Sequence, residues 1–139
     1  MPALVSQDTW AVLTVVGEAL SEPYDGKLAV AEVIRNRMRR RYASDGTVIG
    51  TVLRPKQFSM WDFHQTRTLA AKSNNDHAAV RSCETAWQEA TVGGTDIAKG
   101  AVLYLRHDVD PKPAWTTAPS VKLVGRIGAH LFYTDKGGA

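Results

Sequence analysis

The chain has 139 residues, 44% of them apolar and 22% charged, with a net charge of +3 and an isoelectric point near 9.2. That is enough chain for one ordinary core, and the balance is that of a soluble globular domain rather than a disordered or membrane-spanning one. The longest apolar stretches, such as Ala11 to Val16, are too short to cross a bilayer. The basic balance suits an acidic polymer, such as nucleic acid, teichoic acid or a bacterial wall, without choosing among them.

No repeat, low-complexity segment or linker divides residues 1–139, so a single domain is expected. The N-terminal MPALVSQDTW has no basic opening and is interrupted by Asp8, so it does not read as a secretion signal. Synthesis in the cytoplasm is the matching expectation. Cys83 is the single cysteine, which excludes an internal disulfide.

Trp10, Leu13, Val16 and Leu20 recur at helical spacing and predict a first helix from about Gln7 to Leu20, capped by Ser6 or Asp8 and ended by Pro23. Asp25 is the expected cap of a second helix over Gly26 to Arg40, with Leu28, Ala31, Ile34 and Met38 as its core stripe. Its end carries Arg35, Arg37, Arg39, Arg40 and Arg41. These read as a solvated helix end with cations near the negative pole of the dipole, or as a contact for an anionic surface. A short helix is expected over Val48 to Leu53.

Pro55 to Asn75 shows little periodicity and is rich in aromatic and polar groups, a pattern that favours a functional loop. Asn74 or Asp76 then caps a helix to about Thr91, buried through Val80, Cys83, Trp87 and Ala90 and ended by Gly93-Gly94. Afterwards the period changes. Ala101 to Leu105, Val121 to Val124 and Ala129 to Thr134 read as short strands, the last two around a Gly125/Gly128 turn. Helices first and a small C-terminal sheet last give an α+β class.

Glu18 sits near the end of the first helix among Val15, Val16, Ala19 and Leu20. It is either an ordinary solvent-facing residue or a carboxyl whose proton affinity is raised by apolar surroundings, as a general acid requires. Glu22 lies one turn later, but Pro23 should divert it, which makes it a supporting or surface residue rather than half of a carboxylate pair. The four histidines are scattered without ligand spacing, so no metal or other cofactor is expected. Cys83 falls on a buried stripe and reads as a structural thiol. Trp61 and Trp115, in polar loops, are the better candidates for a sugar-binding groove, and Trp10 and Trp87 for the core.

The segment Val16-Gly17-Glu18-Ala19-Leu20-Ser21-Glu22-Pro23-Tyr24-Asp25-Gly26, continuing through Ala29-Val30-Ala31 to Asn36-Arg37, resembles the opening of the SleB/CwlJ-type cell-wall hydrolase domain. Gln57-Phe58-Ser59 with Trp61, Gly100-Ala101 with Leu103-Tyr104, and Ile127-Gly128 with His130 and Phe132-Tyr133 follow in that family's order. Leu20, Ser21 and the Leu105-Arg106-His107-Asp108 stretch depart from its pattern. The resemblance implies a compact lysozyme-like domain that acts on bacterial peptidoglycan as its partner. No nucleic-acid partner, no stable membrane association and a monomer are the accompanying expectations. The resemblance implies Glu18 as the catalytic residue. Gln57, Ser59, Trp61 and Tyr104 are then the groups expected to hold the strand. The expected reaction is cleavage of the bond between N-acetylmuramic acid and N-acetylglucosamine, as a lytic transglycosylase or a muramidase. A phage lysis protein reaching the wall through a membrane pore is the expected setting. An amidase acting on the lactyl-peptide link and a non-catalytic basic binding module are the rival readings.

Overall fold

A computed structural model describes residues 6–55, 57–58 and 76–137. Among these, the helices are α1 (Gln7–Ala19), α2 (Tyr24–Arg40), α3 (Ile49–Val52) and α4 (His77–Val92). The strands β1 (Leu103–Arg106), β2 (Val121–Ile127) and β3 (His130–Asp135) follow, with a 3-10 turn over Ala114–Thr117. The α+β order expected from the sequence is the order observed. Ser59, Trp61 and most of the expected Pro55 to Asn75 loop lie outside the described residues.

Each main helix begins where its chemistry allows. The Ser6 hydroxyl accepts from the Asp8 amide at 3.1 Å, and the Asp76 carboxylate accepts from the Ala79 amide at 3.0 Å, satisfying donors that have no partner inside a first turn. α2 opens two residues earlier than expected. Pro23, extended at φ −60°, is its cap in place of Asp25, which instead lies in the first turn as a favourable negative charge. Gly93 ends α4 at φ 92°, a conformation cheap for glycine.

α2 is the axis of the molecule. It is buried without a break from Gly26 to Arg37, with α1, α3, α4 and β2 packed around it. The stripe expected on one face is therefore only part of its buried surface. Arg35 and Arg37, expected at a solvated helix end, are 5% and 4% exposed; Arg39 and Arg41 do face solvent. The two buried guanidiniums are kept by hydrogen bonds. Arg35 donates to the carbonyls of Ala90 and Thr95, and Arg37 to that of Val102. Asn36 donates to the carbonyl of Ala101 at 2.9 Å, and the fully buried Glu32 accepts from the amides of Ile97 and Ala98. One polar seam of α2 thus holds the chain from Ala90 to Val102, which carries no regular structure of its own beyond the end of α4.

The sheet has the order β1-β3-β2, antiparallel throughout. β2 runs through Gly125 to Ile127 rather than turning there. The register steps from Leu123 opposite Tyr133 to Gly125 opposite Phe132, a bulge that absorbs one residue, and the turn is left to Gly128 at φ 57°. Because α2 grips Ala101 and Val102 immediately before β1, the sheet's Tyr104 is delivered to the edge of the helical layer. Trp87 and Cys83 are core, as expected; burial pushes the Cys83 thiol up to about 11, so it is inert at neutral pH.

Candidate active site

A groove of about 820 Å³ runs between the end of α1 and the sheet. Glu18, Arg37, Gln57, Tyr104 and His130 line its interior, with Asp76 from the cap of α4 and Arg106 from the end of β1 also on its walls. Glu18 is half-buried on the last turn of α1. Three of the sequence-expected site residues, Glu18, Gln57 and Tyr104, are therefore brought to one cavity by three separate parts of the chain.

Tyr104 stands opposite Phe132 in the β1–β3 ladder, and its ring meets His130 edge-to-face at 5.1 Å between centroids. Its hydroxyl is buried and approaches the Glu18 carboxyl without completing a full hydrogen bond. Burial, first, and the nearby Glu18 charge hold this phenol well above 10, so it is a proton donor at any working pH.

Arg37 was not singled out as a site residue from the sequence. Its guanidinium donates to the Val102 carbonyl at 2.6 Å and to Gln57 Oε1 at 3.1 Å, and lies 4.8 Å from the centre of the Phe58 ring. Gln57, expected to hold substrate, is thus engaged with Arg37 through its carbonyl oxygen. The only sequence sign of this was the Asn36-Arg37 pair in the family-like segment.

Glu22 is neither paired with Glu18 nor on the surface. Its Oε1 accepts from the Ala129 amide at 2.7 Å and lies 3.3 Å from His130 Nδ1. Two glycines make the room. A Cβ on Gly26 would stand 2.8 Å from Glu22 Cβ, and one on Gly128 would stand 2.5 Å from Glu22 Oε1. Lys27 also donates to the Glu22 carbonyl. Glu22 therefore fastens the β2–β3 turn to the α1–α2 connection, a supporting role behind the groove wall. Trp115, expected in the groove, packs edge-to-face on Tyr133 at 5.2 Å instead and is not part of the lining.

His130 is buried, and that burial lowers its proton affinity more than Glu22 raises it. It faces the groove as a neutral imidazole near pH 7. Besides Tyr104 and His130, the ionisable side chains of the lining among the described residues are Glu18, Asp76, Arg37 and Arg106. Asp76 spends one carboxylate oxygen on its helix cap, and Arg106 pairs with Asp108 at 3.2 Å. The arrangement can deliver a proton from Glu18 to a group bound against Tyr104, with a fixed positive charge behind it.

Comparison with known proteins gives this geometry its context. The family model described as Cell Wall Hydrolase matches residues 21–133, a stretch that opens just beyond Glu18. A spore cortex-lytic enzyme of Oceanobacillus iheyensis is 31% identical over 118 residues, which are 85% of this chain and 38% of the relative. That of Bacillus subtilis is 30% identical over 120 residues, 85% of this chain and 34% of the relative. The chain spans little more than a third of the length of these curated relatives. Among solved structures, the catalytic domain of the Bacillus cereus SleB protein superposes with a TM-score of 0.64 at 26% identity, covering 95% of this chain and 94% of that one. The catalytic domain of the germination-specific lytic transglycosylase SleB from Bacillus anthracis gives 0.65 at 26% identity, covering 95% and 98%. On the match of residues 21–133, the chain belongs to the cell wall hydrolase family.

Proposed function

We propose that this chain cleaves the glycan strand of bacterial peptidoglycan between N-acetylmuramic acid and N-acetylglucosamine, as a lytic transglycosylase with Glu18 as its general acid. The observation that carries this reading is a half-buried carboxyl at the end of α1, opening on a groove of about 820 Å³ beside the buried Tyr104 hydroxyl. Kinship with spore cortex-lytic enzymes, and the likeness to a domain described as a lytic transglycosylase, support the substrate and the reaction.

In this mechanism protonated Glu18 gives its proton to the leaving glycosidic oxygen as the bond to the muramic anomeric carbon breaks. The oxocarbenium-like centre is stabilised by the sugar's own acetamido group, since Glu22 is committed elsewhere. Glu18, now a carboxylate, takes the proton of the muramic 6-hydroxyl as that oxygen closes on the anomeric carbon. A 1,6-anhydro ring forms and the acid is regenerated without water. Tyr104 donates toward Glu18 in its anionic phase. Ser59 and Trp61 are proposed, with Gln57 and Tyr104, to hold the strand.

The test is mass spectrometry of digested peptidoglycan. Anhydromuramic ends, lighter by one water than hydrated ends, are expected, and Glu18→Gln should abolish them. Hydrated ends would make the enzyme a muramidase, with Asp76 as the second carboxylate of the groove among the described residues. New free alanine amino groups on intact glycan would replace the reading with an amidase. Salt-sensitive binding to walls without fragments would replace it with a binding module. The narrower proposal, a phage lysis protein, predicts that expression in a bacterium lyses it only when a pore-forming protein is made alongside.

A further inference from the structure

Past Tyr104 the groove wall continues through Arg106, Val109 and Pro113, a cation beside apolar side chains. Tyr104 and Arg106 are two residues apart on β1 and so share a face of the sheet, with His130 opposite Arg106 in the ladder. The Arg106 side chain is 57% exposed and lines the groove, within reach of a bound strand. Its orientation is set by Asp108. Nε donates to Asp108 Oδ1 at 3.2 Å and Nη2 to Asp108 Oδ2 at 3.4 Å, which occupies one edge of the guanidinium. The other edge, Nη1 and the second hydrogen of Nη2, has no partner among the described residues. An exposed pair of this kind adds little stability, so its effect is to aim the free edge. Arg37, the other cation of the lining among the described residues, is 4% exposed and already donates to Val102 and Gln57.

The N-acetylated sugar rings of a glycan strand give such an edge nothing charged to meet. The charge of peptidoglycan lies on the stem peptide, which hangs from the lactyl group of muramic acid. Its free carboxylates match a guanidinium edge with two parallel hydrogen bonds, and its alanine methyls match Val109 and Pro113. Leu105-Arg106-His107-Asp108 is also a stretch that departs from the SleB/CwlJ-type pattern, so this feature belongs to the chain itself. We propose that Arg106 is a substrate-binding residue that gives the groove a preference for peptide-bearing strands, its open Nη1–Nη2 edge receiving a stem-peptide carboxylate. This rests on the glycan strand of peptidoglycan being the substrate.

The experiment compares soluble, uncross-linked strands carrying stem peptides with the same strands after carbodiimide and methylamine have turned their carboxyls into neutral amides. Arg106→Gln should raise KM on the native strands about 10-fold with kcat nearly kept, and should shift KM on the amidated strands less than about 2-fold. Arg106→Lys, which keeps the charge but not the fork, should fall between. Arg39→Gln removes an exposed cation that is not part of the lining and reports the general effect of one charge; it should shift neither KM by more than about 2-fold. Melting temperatures check that each variant is folded. An equal loss on both kinds of strand, or none on the native strands, overturns the proposal and leaves Arg106 as a partner of Asp108 alone. Binding to Glu18→Gln protein, followed by calorimetry, needs no cleavage. Adding Arg106→Gln to it should weaken Kd for native strands by the same factor, so the proposal fails or stands separately from the cleavage reaction.

Discussion

A glutamine at position 18 keeps the shape and hydrogen-bonding capacity of the side chain but holds no carboxylic proton. Since a positioned general acid contributes about 100- to 10,000-fold, Glu18→Gln should clear walls at least about 100-fold more slowly while melting no lower than the wild type. Glu22 should respond in the opposite sense. Glu22→Ala leaves the part-buried Ala129 amide without its acceptor, a loss of about 1 kcal/mol in denaturant unfolding, while the rate per folded molecule falls far less than for Glu18→Gln. A folded, fully stable and inactive Glu22 variant would restore a two-carboxylate mechanism. The sequence, through Pro23, set Glu22 apart from a pair with Glu18, and in the fold Glu22 is held by the Ala129 amide instead. The sequence could not show what Glu22 does, because its partner lies 107 residues away and nothing local marks Ala129 as an orphan donor.

At the scale of elements, the helices were legible wherever one face carried the burden. The 3.6-residue stripes of α1 and α4 and the breaks at Pro23 and Gly93 place both to within a residue or two. α2 defeated the same reasoning. Glu32, Arg35, Asn36 and Arg37 look like a polar face, since charged residues are rarely buried, yet here they are buried and hydrogen-bonded to the irregular chain between α4 and β1. Only tertiary contact distinguishes a solvated face from such a seam. β2 was shortened for a related reason: Gly125 reads locally as a turn, and only its pairing with Phe132 reveals a bulge. The candidate site followed the same rule. Glu18, Gln57 and Tyr104 were reachable through motif resemblance, while Arg37 was hidden inside a basic run. The seam is testable through Glu32. Glu32→Ala strands the buried amide of Ala98 and the part-buried amide of Ile97, and should cost about 2–4 kcal/mol in denaturant unfolding. A loss within experimental error would mean that the Ala90 to Val102 chain holds itself without α2.

The whole molecule is a helical layer and a sheet joined at the groove, and His130 stands at that join. It lies on β3, meets Tyr104 of β1, and reaches across to Glu22 between α1 and α2. Folding buries it, and burial outweighs the pull of Glu22, so its folded proton affinity is below the ordinary value of 6.5. The unfolded chain therefore binds the proton more readily than the folded one. Stability from this group is fully present above about pH 6.5 and falls as the pH drops from there through the lower, folded value. Melting temperatures followed from about pH 8 to about pH 5 should show it by comparison with His130→Asn, which is neutral throughout. The variant is less stable at high pH because ring contacts with Tyr104 and Phe132 are lost, and the gap between it and the wild type should narrow on acidification. A gap that stays constant would remove His130 from the pH response. A gap that widens would mean the imidazole is charged in the folded chain and that its pairing with Glu22, at 3.3 Å, outweighs the cost of burying it.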